Sequence, residues 1–145
     1  MIALQTKNYL SGLLIVVCGL ILLTSCSFKD PKYQQYYAQG QSLYEKNCSN
    51  CHQKSGKGLG RVYPPLAQSD FLKNNLNESI CLMRYGKQGD ILVNTIHYNK
   101  PMPGVIGLTD LEVAEIATYI FNTWGNERGL IDVNQTSSIL NSCRP

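Results

Sequence analysis

The sequence predicts an all-α domain, on three observations. Apolar residues recur at helical intervals in three segments, 36–48, 69–86 and 109–125. Glycine- and proline-rich stretches separate them, and the stretch between the second and third has no long helical pattern. A tight cluster, Cys48-Ser49-Asn50-Cys51-His52, closes the first segment. The chain has 145 residues, moderate hydrophobicity, a formal net charge of +3 and six cysteines, which fits one compact domain and argues against disorder or a polytopic membrane protein.

The first 25 residues stand apart from that domain. A single Lys7 precedes an apolar run, Gly12 to Leu23, too short to span a bilayer as a stable helix, and the segment reads as a signal peptide over 1–25. The run ends in Leu23-Thr24-Ser25-Cys26, which resembles the lipobox of bacterial lipoproteins. That resemblance implies lipidation of Cys26 and an exported protein anchored to a membrane, each buried CH₂ contributing about 0.8 kcal/mol. Residues 26–35, polar and containing Pro31, read as the lipidated tether. Lys7 is the only charged residue removed with the signal, so 26–145 carries twelve Lys and Arg against ten Asp and Glu. This balance says little about function, and no nucleic-acid partner is expected.

Cys-x-x-Cys alone serves a redox dithiol, half a zinc site or thioether attachment, but the following His52 matches the c-type haem attachment pattern. Two thiols three residues apart can each add to one haem vinyl group. The next residue then lies beneath the iron, where a neutral imidazole nitrogen can bind axially. Zinc would want four ligands, yet no second Cys-x-x-Cys or His pair follows, the other histidine being the solitary His97. A thioredoxin-like dithiol needs a strand and helix pattern that this glycine-rich region lacks. The expected cofactor is one haem c, covalent through Cys48 and Cys51.

With this motif in place, the chain from about Tyr36 to Gly125 resembles the class I cytochromes c, monohaem proteins whose small all-α bundle wraps one haem. Gly40, Tyr44 and Cys48 recur every four residues and share a helical face. In the family a glycine and an aromatic at these positions let the first and last helices cross closely. Gly56, Gly58 and Gly60, then Pro64 and Pro65, mark a loop. Pro64 and Leu66 match the family's Pro-x-Leu pattern, which implies a Pro64 carbonyl that accepts the His52 Nδ1 hydrogen bond and a Leu66 that packs on the haem. Ser69 and Asp70 are helix caps for a helix with Leu72, Leu76, Ile80 and Met83 on its apolar side, stopping at Gly86 with Arg84 in its final turn.

Met102, flanked by Pro101 and Pro103 and fifty residues after His52, matches the family's distal-ligand methionine. A thioether raises the haem potential relative to a second histidine. Met83 reads as core, since methionine among leucines at helical spacing usually packs. His97 reads as a surface or propionate-side imidazole, the alternative being a bis-histidine haem. Thr109 and Glu112 have the spacing of a capping box, followed by an apolar face through Leu111, Ala114, Ala117 or Thr118, and Phe121. The resemblance implies that Ile116, Tyr119 and Ile120 of this last helix meet Gly40 and Tyr44. Trp124 and Gly125 close it, Trp124 being either plain core or a haem neighbour.

A six-coordinate haem offers substrate no vacant site, so the reading is a membrane-anchored carrier passing single electrons between redox protein partners. The alternative is a haem enzyme, or a gas-binding or sensing subunit, with a displaceable distal ligand. Lys46, Lys54, Lys57 and Arg61 occur with no acidic residue before Gln68, either a solvated loop or a docking face for an acidic partner. With Cys18 in the signal, Cys26 assigned to lipid and Cys48 and Cys51 to haem, Cys81 and Cys143 remain. An even remainder in an oxidising compartment predicts a disulfide that staples the C-terminal extension, 127–145, back onto the haem domain, 36–126. Val133, Ile139 and Leu140 offer that extension apolar contacts.

Overall fold

The computed structural model describes residues 30–143. The signal segment, the expected lipidation site Cys26 and the first part of the tether lie outside the described residues. Helix α1 spans Pro31–Asn47. It therefore begins earlier than the sequence reading placed it, within the segment read as tether. Proline suits the first helical turn, where its missing N–H costs nothing. The extra turn is held by Tyr36, which is buried, and by an ion pair from Lys32 to Asp132 near the other end of the chain.

A short helix α2, Ser49–His52, carries the Cys-x-x-Cys-His cluster. The middle helix predicted from Ser69 to Gly86 is two helices, α3 over Asp70–Asn74 and α4 over Leu76–Tyr85. The break is at Asn75, whose amide side chain donates to the Phe71 carbonyl at 3.0 Å and competes with the helical ladder. The flanking caps follow the sequence: Ser69 Oγ accepts from the Leu72 N–H, and Gly86 ends α4 with φ +80°.

Four short strands follow, so the domain is helical with two small two-stranded sheets rather than purely α. Strand β1, Gly86–Lys87, pairs antiparallel with β4, Met102–Pro103, and β2, Ile91–Val93, pairs with β3, Ile96–Tyr98. Asn94 and Thr95, both at positive φ, make the two-residue turn between β2 and β3. Asp70 locks that turn from the start of α3: its carboxylate accepts from Asn94 N at 2.7 Å, and its own N–H donates to Asn94 Oδ1 at 3.0 Å.

Helix α5, Asp110–Ile120, opens with a complete Thr109–Glu112 capping box. It is buried on every side from Val113 to Ile120, as expected of a helix wrapped by neighbours rather than lying on a surface. Leu111, expected on its apolar face, is instead 43% exposed, because the first turn projects beyond the helices that cover the rest. Helix α1 covers one side at a close crossing. Tyr119 meets Gly40 and Tyr44 there, whereas Ile116 and Ile120 also line the cleft described below.

The C-terminal extension forms a further helix, α6, over Val133–Ser142, with Asp132 as its N-cap. It buries Thr136, Ile139 and Leu140, and Ile131 just before it, while Val133 is half-buried. Thr118 Oγ1 of α5 accepts from the Ile131 N–H at 3.1 Å and donates to its carbonyl at 3.2 Å. A disulfide joins Cys143 to Cys81 of α4 across a Cα separation of 6.1 Å. The Asp110 carboxylate ties three helices, accepting from Arg84 of α4 at 2.8 Å and from Ser137 of α6 at 2.7 Å. Among the described residues, no helix is long and apolar enough to cross a membrane.

Candidate functional site

Two adjoining clefts open between α2, α4, α5 and the strand region, and His52, Pro64, Leu82, Ile91 and Met102 line both. The inner cleft is walled by apolar side chains that include Leu66, Leu72, Met83, Val93 and Ile116. Cys48 lines the inner cleft and Cys51 the outer one. The outer cleft adds Tyr63, Lys87, Tyr98 and Lys100 at a more polar mouth.

The loop after α2 fixes His52. The Gly58 N–H donates to the His52 carbonyl at 3.0 Å, and the Gly56 carbonyl accepts from Leu66 N at 2.7 Å and Ala67 N at 2.9 Å. Gly58, at φ +65°, has no room for a side chain, since a Cβ there would lie 2.2 Å from the Tyr63 carbonyl oxygen. The tight loop brings the Pro64 carbonyl within 3.0 Å of His52 Nδ1. A carbonyl only accepts, so Nδ1 carries the ring proton and Nε2 keeps its lone pair. His52 is buried, and burial holds its pKa below the ordinary histidine value despite the opposing hydrogen bond to Pro64. The imidazole is thus a neutral nitrogen donor at physiological pH.

Cys48 and Cys51 are outside any disulfide. Burial, with a smaller contribution from Cys51, pushes the Cys48 thiol up to about 11. Such a thiol is almost wholly protonated at neutral pH, which disfavours a redox dithiol, whose chemistry needs a thiolate. Among the described residues, no cluster of three His, Cys, Asp or Glu side chains could hold a metal ion, so zinc has no ligand set there. An apolar cleft with two adjacent thiols, an imidazole lone pair and a thioether suits a covalently attached haem, whose iron takes nitrogen and sulfur ligands.

Met102 reaches the cleft through β4. Its residue pairs with Lys87 and its neighbour Pro103 with Gly86, and Val105 N donates to the Met83 carbonyl at 3.0 Å. Glycine is needed on both sides of this contact: a Cβ at Gly86 would lie 2.4 Å from the Met102 carbonyl oxygen, and one at Gly104 would lie 2.5 Å from that of Arg84.

His97 lines neither cleft. Its side chain is 70% exposed, with Nδ1 2.5 Å from Asp90 Oδ2. Met83 is buried and lines the inner cleft from α4. Trp124 lines neither cleft and packs over Gly56, Tyr44 and Tyr119. The sequence reading missed Ile91, Val93, Tyr98, Lys87 and Lys100. The signal for the first three was available: Ile91-Leu92-Val93 and Ile96-His97-Tyr98 flank a two-residue Asn94-Thr95 turn, the pattern of a hairpin.

These features define a small electron-transfer domain built to enclose a covalent haem. The chain belongs to the cytochrome c family, its residues 37–124 matching the family model described as Cytochrome c. It is 34% identical over 95 residues to cytochrome c-552 of Thermus thermophilus, an alignment covering 63% of this chain and 72% of that one. It is also 31% identical over 90 residues to the cytochrome c subunit of a quinone alcohol dehydrogenase from Gluconobacter oxydans, and 29% identical over 108 residues to a fructose dehydrogenase cytochrome subunit from Gluconobacter japonicus. Those alignments cover 60% and 69% of this chain but only 18% and 21% of the dehydrogenase subunits. Within the family this is a class I, monohaem member that carries one haem c on Cys48 and Cys51 and acts as an electron carrier rather than an enzyme.

Proposed function

We propose that the protein is an exported, lipid-anchored cytochrome that relays single electrons between redox proteins, with His52 and Met102 as the axial ligands of its haem. The observation that carries this reading is the shared cleft: the Nε2-bearing ring of His52, the thioether residue Met102 and the attachment residue Cys48 all line it. The haem supplies the one-electron Fe(II)/Fe(III) couple, and the chain supplies the rest. Pro64 orients the imidazole and keeps Nε2 basic. Leu66, Leu72 and Ile116 exclude water. Two protein ligands leave substrate no open position, which argues against the haem enzyme and gas-sensor alternatives.

In this reading Cys26 carries the lipid, and residues 26–30 tether the domain. Confinement to one surface raises the effective concentration of donor and acceptor. The similarity to cytochrome subunits of dehydrogenases supports a redox protein as partner. The basic strip read from the sequence is only partly available as a docking face, since Lys54 is paired with Glu45 at 2.9 Å. Lys57 and Arg61 of the haem loop, with Lys100 at the mouth of the outer cleft, are the positives we assign to an acidic partner.

The ligand assignment is tested on haem-loaded protein. Replacing Met102→Ala should abolish the weak ferric iron–sulfur absorption band near the red end of the spectrum and open the reduced protein to rapid carbon monoxide binding. A band that survives, or wild-type protein that binds carbon monoxide rapidly and stoichiometrically, would overturn the assignment and favour the alternatives. Cys26→Ala should release the protein from membranes, and undiminished retention would remove the lipid anchor.

A further inference from the structure

Helix α4 is held between the haem cleft and the C-terminal extension. Ser79, Leu82 and Met83, which share a helical face by their spacing, line the inner cleft. Cys81 and Arg84, also three apart, are turned to α6. Cys81 is bonded to Cys143, and Arg84 donates to the Asp110 carboxylate that Ser137 of α6 also engages. Helix α4 packs against α6 more extensively than against any other helix. It is ten residues long, and neither boundary has helical dihedrals: Asn75 is at φ −128°, ψ 57°, and Gly86 is at φ +80°. Non-helical backbone therefore joins α4 to its neighbours at both ends, and its position is set by what packs on its two faces.

The end of α4 is also the seat of Met102. The Met83 carbonyl accepts from Val105 N at 3.0 Å, and β1, which follows α4 directly, pairs Lys87 with Met102. A displacement of α4 is thus passed to β4. Retaining the extension does not by itself call for a bond to α4, because the start of α6 is already held on α5, where Thr118 bonds the Ile131 backbone in both directions. The covalent tie is made instead beside Leu82 and Met83, at the cleft wall. Resting on the assignment of Met102 as distal ligand, we propose that the Cys81–Cys143 bridge is a positioning device for that ligand. By clamping α4 to α6 it keeps the β1–β4 contact closed and the thioether seated, and reductive opening of the bridge loosens Met102 from the iron.

Both cysteines are half-buried rather than enclosed, so a reductant can reach the bridge. A dithiol donor opens it by thiolate attack on one sulfur, which forms a mixed disulfide and releases the other cysteine as a thiol. The donor's second thiol then displaces the remaining cysteine. The donor leaves as its own disulfide, and its two electrons and two protons end on the Cys81 and Cys143 thiols. The Arg84–Asp110–Ser137 contacts survive this step, and Ile139 and Leu140 stay buried, so the fold persists. What rises is the frequency of local opening at the end of α4 and the β4 segment that it seats.

The test compares three forms of the haem-loaded protein: oxidised wild type, wild type whose bridge has been opened with a water-soluble phosphine, and the double variant Cys81→Ala, Cys143→Ala. Alkylation and mass spectrometry count the thiols. Both forms without the bridge should bind carbon monoxide in the ferrous state severalfold faster than oxidised wild type. Their Val105 amide should exchange hydrogen faster, and the ferric iron–sulfur band of the double variant should weaken. Reoxidising the phosphine-treated protein should restore slow binding. Ile131→Ala is the control for a general loss of stability: it removes a buried side chain at the far end of α6 and leaves the bridge in place. All three measurements should stay at the wild-type level in that variant. Unchanged carbon monoxide binding in both forms without the bridge, or equal acceleration in Ile131→Ala, would overturn the proposal and leave the ligand assignment standing. Wild type without the iron–sulfur band would sink the ligand assignment and this proposal together.

Discussion

Gly40 of α1 rests directly on the backbone of Glu115 in α5: a Cβ at Gly40 would lie 1.9 Å from the Glu115 carbonyl oxygen and 2.9 Å from the Cβ of Tyr119. Neither obstacle is a flexible side-chain end, so relief requires the two helices to separate. Gly40→Ala should lower unfolding free energy by about 1–3 kcal/mol, the usual range for overpacking, even though alanine favours an isolated helix. Urea melts followed by helical circular dichroism measure this. An unchanged or raised midpoint would mean that the crossing is looser than described.

The Cys81–Cys143 bridge spans 62 residues of chain separation. In the chain-entropy account a loop of this size is worth about 4 kcal/mol. The double variant Cys81→Ala, Cys143→Ala should lose stability on that scale while retaining a native fold, because Ile131, Ile139 and Leu140 remain buried around α6. Denaturation of oxidised wild type beside the variant gives the difference, and a loss well below 1 kcal/mol would show that the extension is held by packing alone.

Thr136 is fully buried on α6, and its Oγ1 has no hydrogen-bond partner among the described residues. Burying an unpaired hydroxyl costs roughly 1–3 kcal/mol. Thr136→Val keeps the branched shape and removes the hydroxyl, and should raise the thermal midpoint. A lowered midpoint would reveal a partner for that oxygen.

Glu115 sits in the same α1–α5 crossing, with its carboxyl pKa raised by burial and, to a lesser degree, by the negative charge of Glu112. A raised folded-state pKa means that the folded protein binds the proton more tightly than the unfolded chain. The protein is therefore favoured at acid pH, and it loses stability as pH rises from the ordinary carboxylate value through the raised one. Glu115→Gln should stabilise the protein at neutral pH, with the gain shrinking as pH falls through the raised value and gone below the ordinary glutamate range. A gain independent of pH would point to packing instead of charge.

Which of these features the sequence displayed depends on whether the cause was local. Caps at Ser69, Thr109 and Gly86 were legible because a cap depends on a few neighbouring residues. The four-residue spacing of Gly40 and Tyr44 showed a shared face, but not that a carbonyl of α5 lies against it. Helix α6 was hidden because Thr136, Ile139 and Leu140 make only a narrow apolar stripe, and its burial depends on the distant Thr118 and Cys81. Lys87 and Lys100 came to the cleft mouth only through strand pairing and loop closure. Cys26 lies outside the described residues, so its lipidation rests on the sequence pattern.

Gly104 bears on the proposed ligand. It lies two residues beyond Met102, and a Cβ there would meet the Arg84 carbonyl oxygen at 2.5 Å, the Tyr85 carbonyl carbon at 2.5 Å and the Gly86 nitrogen at 2.6 Å. All three are backbone atoms at the end of α4, so Gly104→Ala can be accommodated only by moving the β4 segment off β1. Since that pairing sets where Met102 enters the cleft, the ferric iron–sulfur band should weaken, and carbon monoxide should bind the reduced protein faster than in wild type. Gly107→Ala is the matched control, because nothing lies within 4 Å of a Cβ at that position. It should leave both measurements unchanged. A full-strength band in Gly104→Ala, alongside loss of the band in Met102→Ala, would show that Met102 is held in the cleft by something other than the β1–β4 contact.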